Sequence, residues 1–279
     1  MMLFLFTKTK GIFVKLIKTR TQMKTAFITG ATEGIGYELA KIFAQNKFEL
    51  ILVARNESKL RQMVETFTAK GIQATYYAKD LTILENAKFI YNDLKAKNIT
   101  VEYVINNAGF GVNADFVDSE WEKQLNMFQL NMITLAYFTH SFALDMKAKK
   151  FGRIMNVAST ASFQPIPFMA GYAASKAFVM SLSEAVNKEL KGTNVSITTL
   201  CPGVTDSKFH ETAHSERTLL HSKILAVATA KEVAEYGYRR MMERKALSIH
   251  GFRNKVNAFF LSFIPRSWVG NLTKEMMKN

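Results

Sequence analysis

Cysteine is nearly missing from this chain. A single Cys201 among 279 residues excludes an internal disulfide and fits a reducing compartment. It precedes Pro202 at the end of an apolar run, which reads as a buried structural thiol rather than a nucleophile. Proline is almost as scarce, at four residues, and no proline- or serine-rich linker, internal repeat or low-complexity tract breaks the sequence, so one domain is expected. No stretch of about 18 apolar residues occurs, so no segment is long enough to span a bilayer as a helix. What the chain does have is ample core material, with 48% hydrophobic and 22% charged residues, the balance of a globular protein.

Acidic residues are short at both ends. Of the formal net charge of +14, residues 1–22 carry +5 and residues 239–279 carry +7, so the long middle is nearly neutral. A basic body that reads nucleic acid is therefore not indicated. The first six residues are too short an apolar run for a signal peptide core, and the lysines follow it rather than precede it. Residues 1–22 are expected to be a disordered leader ahead of a functional start at Met23. Ile12, Phe13, Leu16 and Ile17 would form one face of a short basic helix suited to an anionic membrane surface.

From Lys24 onward, short apolar runs alternate with stretches of helical spacing. TAFIT, FELILVA, IQATYYA, VEYVIN, RIMNVAS, VSITTL and ALSIH read as strands. The intervening helices include a long one from about Ser119 to Lys149 and another from Tyr172 to Lys191. A further helix opens at Thr229, with Glu232 three residues on as a capping box. The expected fold is a single-domain α/β, doubly wound, Rossmann-type parallel sheet of about seven strands with helices on both faces.

Ligands of such sheets bind beyond the carboxyl ends of the strands, so the loops there carry the information. After the first strand comes TGATEGIG, with Gly30, Thr32, Gly34, Ile35 and Gly36 at a helix start, where backbone N–H groups can approach a pyrophosphate. The second strand ends at Arg55, where an NAD enzyme usually has a carboxylate; a guanidinium suits a 2′-phosphate and favours NADPH over NADH. Glu33 complicates this, since it would repel that phosphate. Asp80 and Leu81 follow the third strand, where an adenine would lie, and Asn106, Asn107, Ala108 and Gly109 follow the fourth. Tyr172 and Lys176 stand one helical turn apart, so that an ammonium would favour the phenolate and lower the phenol's pKa. Ser159, at the end of a strand, is within reach of the phenol through a loop.

This ordered set resembles the short-chain dehydrogenase/reductase family. TGATEGIG, Asp80-Leu81, Asn106-Asn107-Ala108-Gly109, Asn131, Ser159, Tyr172-Ala173-Ala174-Ser175-Lys176 and Cys201-Pro202-Gly203 occur in order and at the family's spacing, across Lys24 to about His250. The resemblance implies an oxidoreductase with a tetrad of Asn131, Ser159, Tyr172 and Lys176. Tyr172 would act as proton carrier and Ser159 as hydrogen-bond donor to the substrate oxygen. Lys176 would also bind the nicotinamide ribose, and Asn131 would hold a water that relays protons. Thr205 or Ser207, after Pro202 and Gly203, would hold the nicotinamide end.

On this reading residues 23–250 are the catalytic domain and residues 251–279 an amphipathic tail packed on it. The substrate is a small carbonyl compound or secondary alcohol. Phe110, Val112, Phe163, Ile166, Phe168 and Met169 make it a hydrophobic one. Val256, Phe259, Phe260 and Phe263 share a stripe that would pack over the core or the pocket mouth. The family implies a homodimer or homotetramer. The expected location is cytoplasmic, with the basic termini as the route to peripheral membrane contact. His210-Glu211-Thr212-Ala213-His214 fits a zinc-binding spacing, but no third ligand stands nearby, and lid residues over the substrate are the better reading; no metal is expected. Two alternatives keep the same fold: a non-catalytic dinucleotide-binding regulatory protein, and a peripheral membrane protein.

Overall fold

A computed structural model describes residues 23–206, 227–261 and 263–278. Ser207 and the His210–His214 motif lie outside the described residues, as do residues 1–22.

Apolar, β-branched runs form the strands β1 (Thr25–Thr29), β2 (Glu49–Ala54), β3 (Ala74–Ala78), β4 (Tyr103–Asn106), β5 (Gly152–Val157), β6 (Val195–Cys201) and β9 (Leu247–Ile249). They make one sheet in the order β3-β2-β1-β4-β5-β6-β9, every neighbouring pair parallel. Between them run α1 (Gly34–Gln45), α2 (Glu57–Ala69), α3 (Leu84–Ala96), α4 (Trp121–Phe128), α5 (Leu135–Lys149) and α6 (Ala170–Glu189). A two-residue ladder of β7 (Thr205–Asp206) with β8 (Ala228–Thr229) precedes α7 (Ala230–Met242). The chain ends in α8 (Phe252–Leu261) and α9 (Arg266–Lys278).

Alternation along the strands divides the core into two layers. Ala26 and Ile28 of β1 face Leu39 and Phe43 of α1, Leu60 of α2, and Val233 and Met241 of α7. Phe27 points the other way, to Ile90 and Leu94 of α3 and to Phe138 and Phe142 of α5. Helices thus cover both faces, as the uninterrupted apolar strands require. The caps follow sequence chemistry. Asn56 accepts from the Lys59 N–H at the start of α2, and Thr229 and Glu232 form the expected reciprocal box at α7.

The long helix expected from Ser119 to Lys149 is divided. Residues Gln129–Thr134 form a π-helical turn between α4 and α5, and Asn131 sits on it, completely buried. The strand order reverses between β1 and β4, and a crevice opens at their carboxyl ends there.

Phe138 is 1% exposed and meets Phe27 edge-on, with centroids 5.1 Å apart. Phe138→Ala is expected to cost about 3–5 kcal/mol, read as a lowered urea midpoint with unchanged slope.

Candidate active site

The crevice between β1 and β4 is held open by polar clamps that no single motif reveals. Thr29, the last residue of β1, donates to the Ile105 carbonyl at 3.3 Å and accepts from the N–H groups of Asn107 and Ala108, each at 3.0 Å. Asn107 returns the bond, its Nδ2 donating to the carbonyls of Thr29 at 3.0 Å and Gly30 at 3.2 Å. The glycine loop and the loop after β4 are therefore one unit. Gly30 is in the left-handed region at φ +63°, and a Cβ on Gly36 would lie 2.2 Å from the Gly30 carbonyl. No larger residue fits at Gly36 without opening the turn. Thr29 opens the TGATEGIG run, but its clamping role is not legible there because its partners lie more than 70 residues away.

A cleft of about 1260 Å³ runs from this loop across the sheet. Thr32, Gly34, Ile35, Arg55, Asp80, Leu81, Asn107, Ala108 and Gly109 line one half, while Ser159, Tyr172, Lys176, Pro202, Gly203 and Thr205 line the centre. Gly36 does not reach the cleft wall; it lies behind Gly30. The Asp80 carboxylate accepts from the Thr82 N–H and hydroxyl, each at 2.9 Å, and so fixes the turn after β3. The Leu81 carbonyl accepts from Thr134, tying that turn to the π-helical segment. Arg55 is exposed and takes no carboxylate partner among the described residues. Glu33 is held at 2.5 Å by Lys59, so its charge is offset within the chain.

The catalytic candidates converge on the end of β5. Ser159 caps a short 3-10 turn, its Oγ accepting from the Ala161 N–H at 3.1 Å, and its side chain also hydrogen-bonds the Tyr172 phenol. Lys176 is 4% exposed and donates to the Val157 carbonyl at 2.9 Å. Its ammonium lies 5.8 Å from the centre of the Tyr172 ring. Asn131 lies beside both: a Cβ on Gly109 would come within 2.8 Å of its Oδ1 and 3.3 Å of the Lys176 Nζ. The Asn131 amide bonds both the N–H and the carbonyl of Phe110 and donates to Ser175 at 3.1 Å. It joins the loop after β4 to α6. Ser175, which also donates to the Tyr172 carbonyl, belongs to the Tyr172–Lys176 motif, but its role depends on Asn131, 44 residues away, and is not legible from the motif.

One expectation is corrected. The phenol of Tyr172 is not acidified; burial pushes it up to about 12, and the Ser159 bond lowers it only partly. The reason is geometric, since the ammonium is aimed at the end of β5 rather than at the phenol oxygen. Lys176 itself is pushed down to about 8 because burial penalises its charge. Burial likewise lifts the Cys201 thiol to about 12, which fits an inert structural residue. No cluster of three or more metal-ligating side chains occurs among the described residues.

The far half of the cleft is walled by Phe110, Ile166 and Met169 and by the C-terminal helices, through Phe260, Leu261, Ile264, Trp268 and Leu272. The Thr273 hydroxyl of α9 lies 2.8 Å from the Val269 carbonyl of its own helix and 3.2 Å from the Pro165 carbonyl, which sets α9 beside the loop before α6. The expected stripe of Val256, Phe259, Phe260 and Phe263 is not packed away: its three phenylalanines are exposed, while the buried side chains of the tail, Ala258 and Val269, lie outside it. Asn254 and Asn257 also line the cleft, and the first crowds Gly203; neither was evident in the sequence.

Burial of Lys176 makes stability pH-dependent with a definite sign. The unfolded chain keeps this proton to about 10.5, whereas the folded one loses it near 8. The unfolded state therefore binds more protons between those values, and stability from this group rises across that window. Relative to Lys176→Met, the wild type is expected to gain about 2 kcal/mol between pH 8 and 10, measured by urea unfolding of both proteins.

Comparison with known proteins agrees with this geometry. The sequence profile of the short chain dehydrogenases matches residues 24–218. The uncharacterized oxidoreductase YvaG of Bacillus subtilis (strain 168) is 31% identical over 198 residues, covering 70% of this chain and 74% of that protein. Among solved structures, a short-chain dehydrogenase from Sphingobium yanoikuyae in complex with NADPH superposes with a TM-score of 0.76 at 24% identity, covering 88% of this chain and 97% of that one. A short chain dehydrogenase/reductase from Burkholderia phymatum in complex with NAD superposes at 0.75, also at 24% identity, covering 85% and 92%. With a glycine loop clamped beside a half-buried serine and a buried tyrosine and lysine, and a match across most of its length, this chain belongs to the short-chain dehydrogenase family of oxidoreductases.

Proposed function

We propose that the protein is an NADPH-dependent reductase of a hydrophobic ketone or aldehyde. The observation that carries this reading is the Ser159–Tyr172 hydrogen bond, buried beside Lys176 and facing the same cleft as the glycine loop. A dinucleotide fits the residues present. A Cβ at Gly30 or Gly36 would strike Asn107 or the Gly30 carbonyl, so the turn keeps its backbone close to the cleft, and Arg55 offers a guanidinium with no carboxylate partner among the described residues. Glu33, paired with Lys59, no longer opposes a 2′-phosphate there, which supports NADPH over NADH.

When bound, NADPH supplies a hydride to the carbonyl carbon. Tyr172 gives its proton to the substrate oxygen. A phenol held at about 12 stays protonated at neutral pH, and an alkoxide is basic enough to take its proton. Ser159 donates a hydrogen bond to the same oxygen as charge grows on it. Lys176 sets a positive charge one turn from the phenolate left behind and, as in the family, would also hold the nicotinamide ribose. Asn131 fixes the Gly109–Phe110 backbone against α6 and keeps the two sides of the cleft in register; the proton relay through a bound water belongs to the same proposal. Pro202, Gly203 and Thr205 complete the nicotinamide end. Phe110, Ile166 and Met169 support a hydrophobic substrate.

A panel of carbonyl compounds, followed by NADPH and NADH absorbance side by side, tests the reading. Tyr172→Phe is expected to lower turnover by about 10³-fold, with NADPH affinity within threefold of wild type by fluorescence titration. Full turnover in that variant would remove the phenol from the mechanism. Arg55→Ala is expected to weaken NADPH at least about tenfold while leaving NADH affinity nearly unchanged. Equal losses for both cofactors would argue against a 2′-phosphate contact.

A further inference from the structure

We propose that the solvent-facing side of α8 and the turn after it docks on an anionic lipid surface, with the cleft mouth at the bilayer from which an apolar carbonyl substrate is drawn. The substrate part rests on the reductase reading above. The docking part stands on separate observations.

Helix α8 is apolar on two sides. Ala258 and Leu261 face the cleft and the body of the protein. On the other side, Phe252 and Phe259 are seven residues apart, hence about 20° apart around the helix axis. They are 80% and 61% exposed. Phe263, in the turn that follows, is 70% exposed and packs edge-on against Phe259, with centroids 5.0 Å apart. Trp268 and Leu272 of α9 carry this surface round to the cleft mouth, which they line while remaining largely exposed. A surface helix normally turns its second side to water with polar groups. A contiguous aromatic patch of this kind marks an interaction face.

Charge decides among the occupants. Residues 251–279, which form the patch, hold five basic against one acidic residue, and Arg253, Lys255 and Lys274 are exposed. A second copy of the chain, docked two-fold, would set this patch on itself, positive against positive, and would cover the cleft mouth. An anionic bilayer meets both features at once, taking the aromatic rings into the headgroup boundary and the ammonium and guanidinium groups at the phosphates. It also leaves the apolar half of the cleft facing acyl chains rather than water.

The chain has two tryptophans, Trp121 on α4 and Trp268 at the patch, so Trp121→Phe leaves Trp268 as a single reporter. With vesicles of phosphatidylglycerol and phosphatidylcholine, its emission is expected to shift to the blue and the full chain to co-sediment. Binding should be at least tenfold weaker with phosphatidylcholine alone or at high salt. Phe259→Ser combined with Phe263→Ser is expected to lower vesicle affinity at least tenfold while leaving the fold, judged by circular dichroism, and turnover of a water-soluble ketone unchanged. Undiminished vesicle binding by that double variant would overturn the docking face. So would the absence of vesicle binding by the wild type, or a self-association in sedimentation velocity that the double variant abolishes. Vesicle binding with no turnover of any carbonyl would overturn the substrate part and the reductase reading, and leave the docking face standing.

Discussion

A lysine ammonium buried at the end of a central strand is the costliest placement in this protein, and the site depends on holding it there. Lys176 donates to the Val157 carbonyl and bears the desolvation penalty in a lowered affinity for its proton. The helix that carries it is fixed from several directions. Ser162 donates to the Lys176 carbonyl at 2.9 Å, Ser175 accepts from Asn131 at 3.1 Å, and Ser183 accepts from Asn156 of β5. Because those contacts set α6 against β5, the ammonium and the phenol arrive at the cleft in a fixed relation. Rigid placement of this kind is what allows a weak acid to act at all, since the geometry is settled before the substrate arrives.

The polar groups near the crevice show a division of labour. Thr29, Asn107 and Asn131 bond mainly to backbone and join loops from different strands, while Ser159 and Tyr172 turn their hydroxyls toward the open space. Buried side chains of the first kind carry no chemistry, but without them the glycine turn and the Gly109 segment would move independently. Backbone satisfaction and active-site architecture are here the same set of hydrogen bonds.

Much of this was legible in the chain itself. The strand pattern survives because parallel strands covered on both faces are mostly apolar, as in the Ala26–Ile28 and Leu50–Ala54 runs, with only small hydroxyls such as Ser196, Thr198 and Thr199 buried among them. The glycine loop and the Tyr172–Lys176 spacing were visible because each needs particular residue types at fixed intervals. What escaped was set by long-range contact. Thr29 matters through residues 76 to 79 positions away. Asn254 matters through Gly203, which the chain brings close only after β9 has formed. The phenol's proton affinity was misjudged because spacing on a helix fixes proximity along one face but not the direction of a flexible amine, nor how much water burial removes. The exposure of Phe259 and Phe263 was missed for a related reason: an apolar stripe states that a helix can be buried on a side, not which side is used.

The π-helical turn at Gln129–Thr134 lets one continuous rod serve two surfaces that a regular helix could not. Each residue advances an α-helix by about 100°, so one extra residue in the ladder re-phases everything before it relative to everything after. Upstream, Gln124 and Met127 approach Gly171 at the start of α6; downstream, Phe138 and Phe142 press on the sheet. Removing a single residue there would let the hydrogen-bond ladder close into ordinary α-helix without a break. Such a deletion would leave both flanks in phase, because the turn takes up its extra residue locally. Regular α-helix forced on the unshortened sequence would instead swing the Trp121–Phe128 segment about a quarter of the way round its axis, taking Met127 away from the loop that borders the substrate half of the cleft. The turn thus acts as a gear, keeping the wall of the pocket engaged with its floor while one more residue is carried between them.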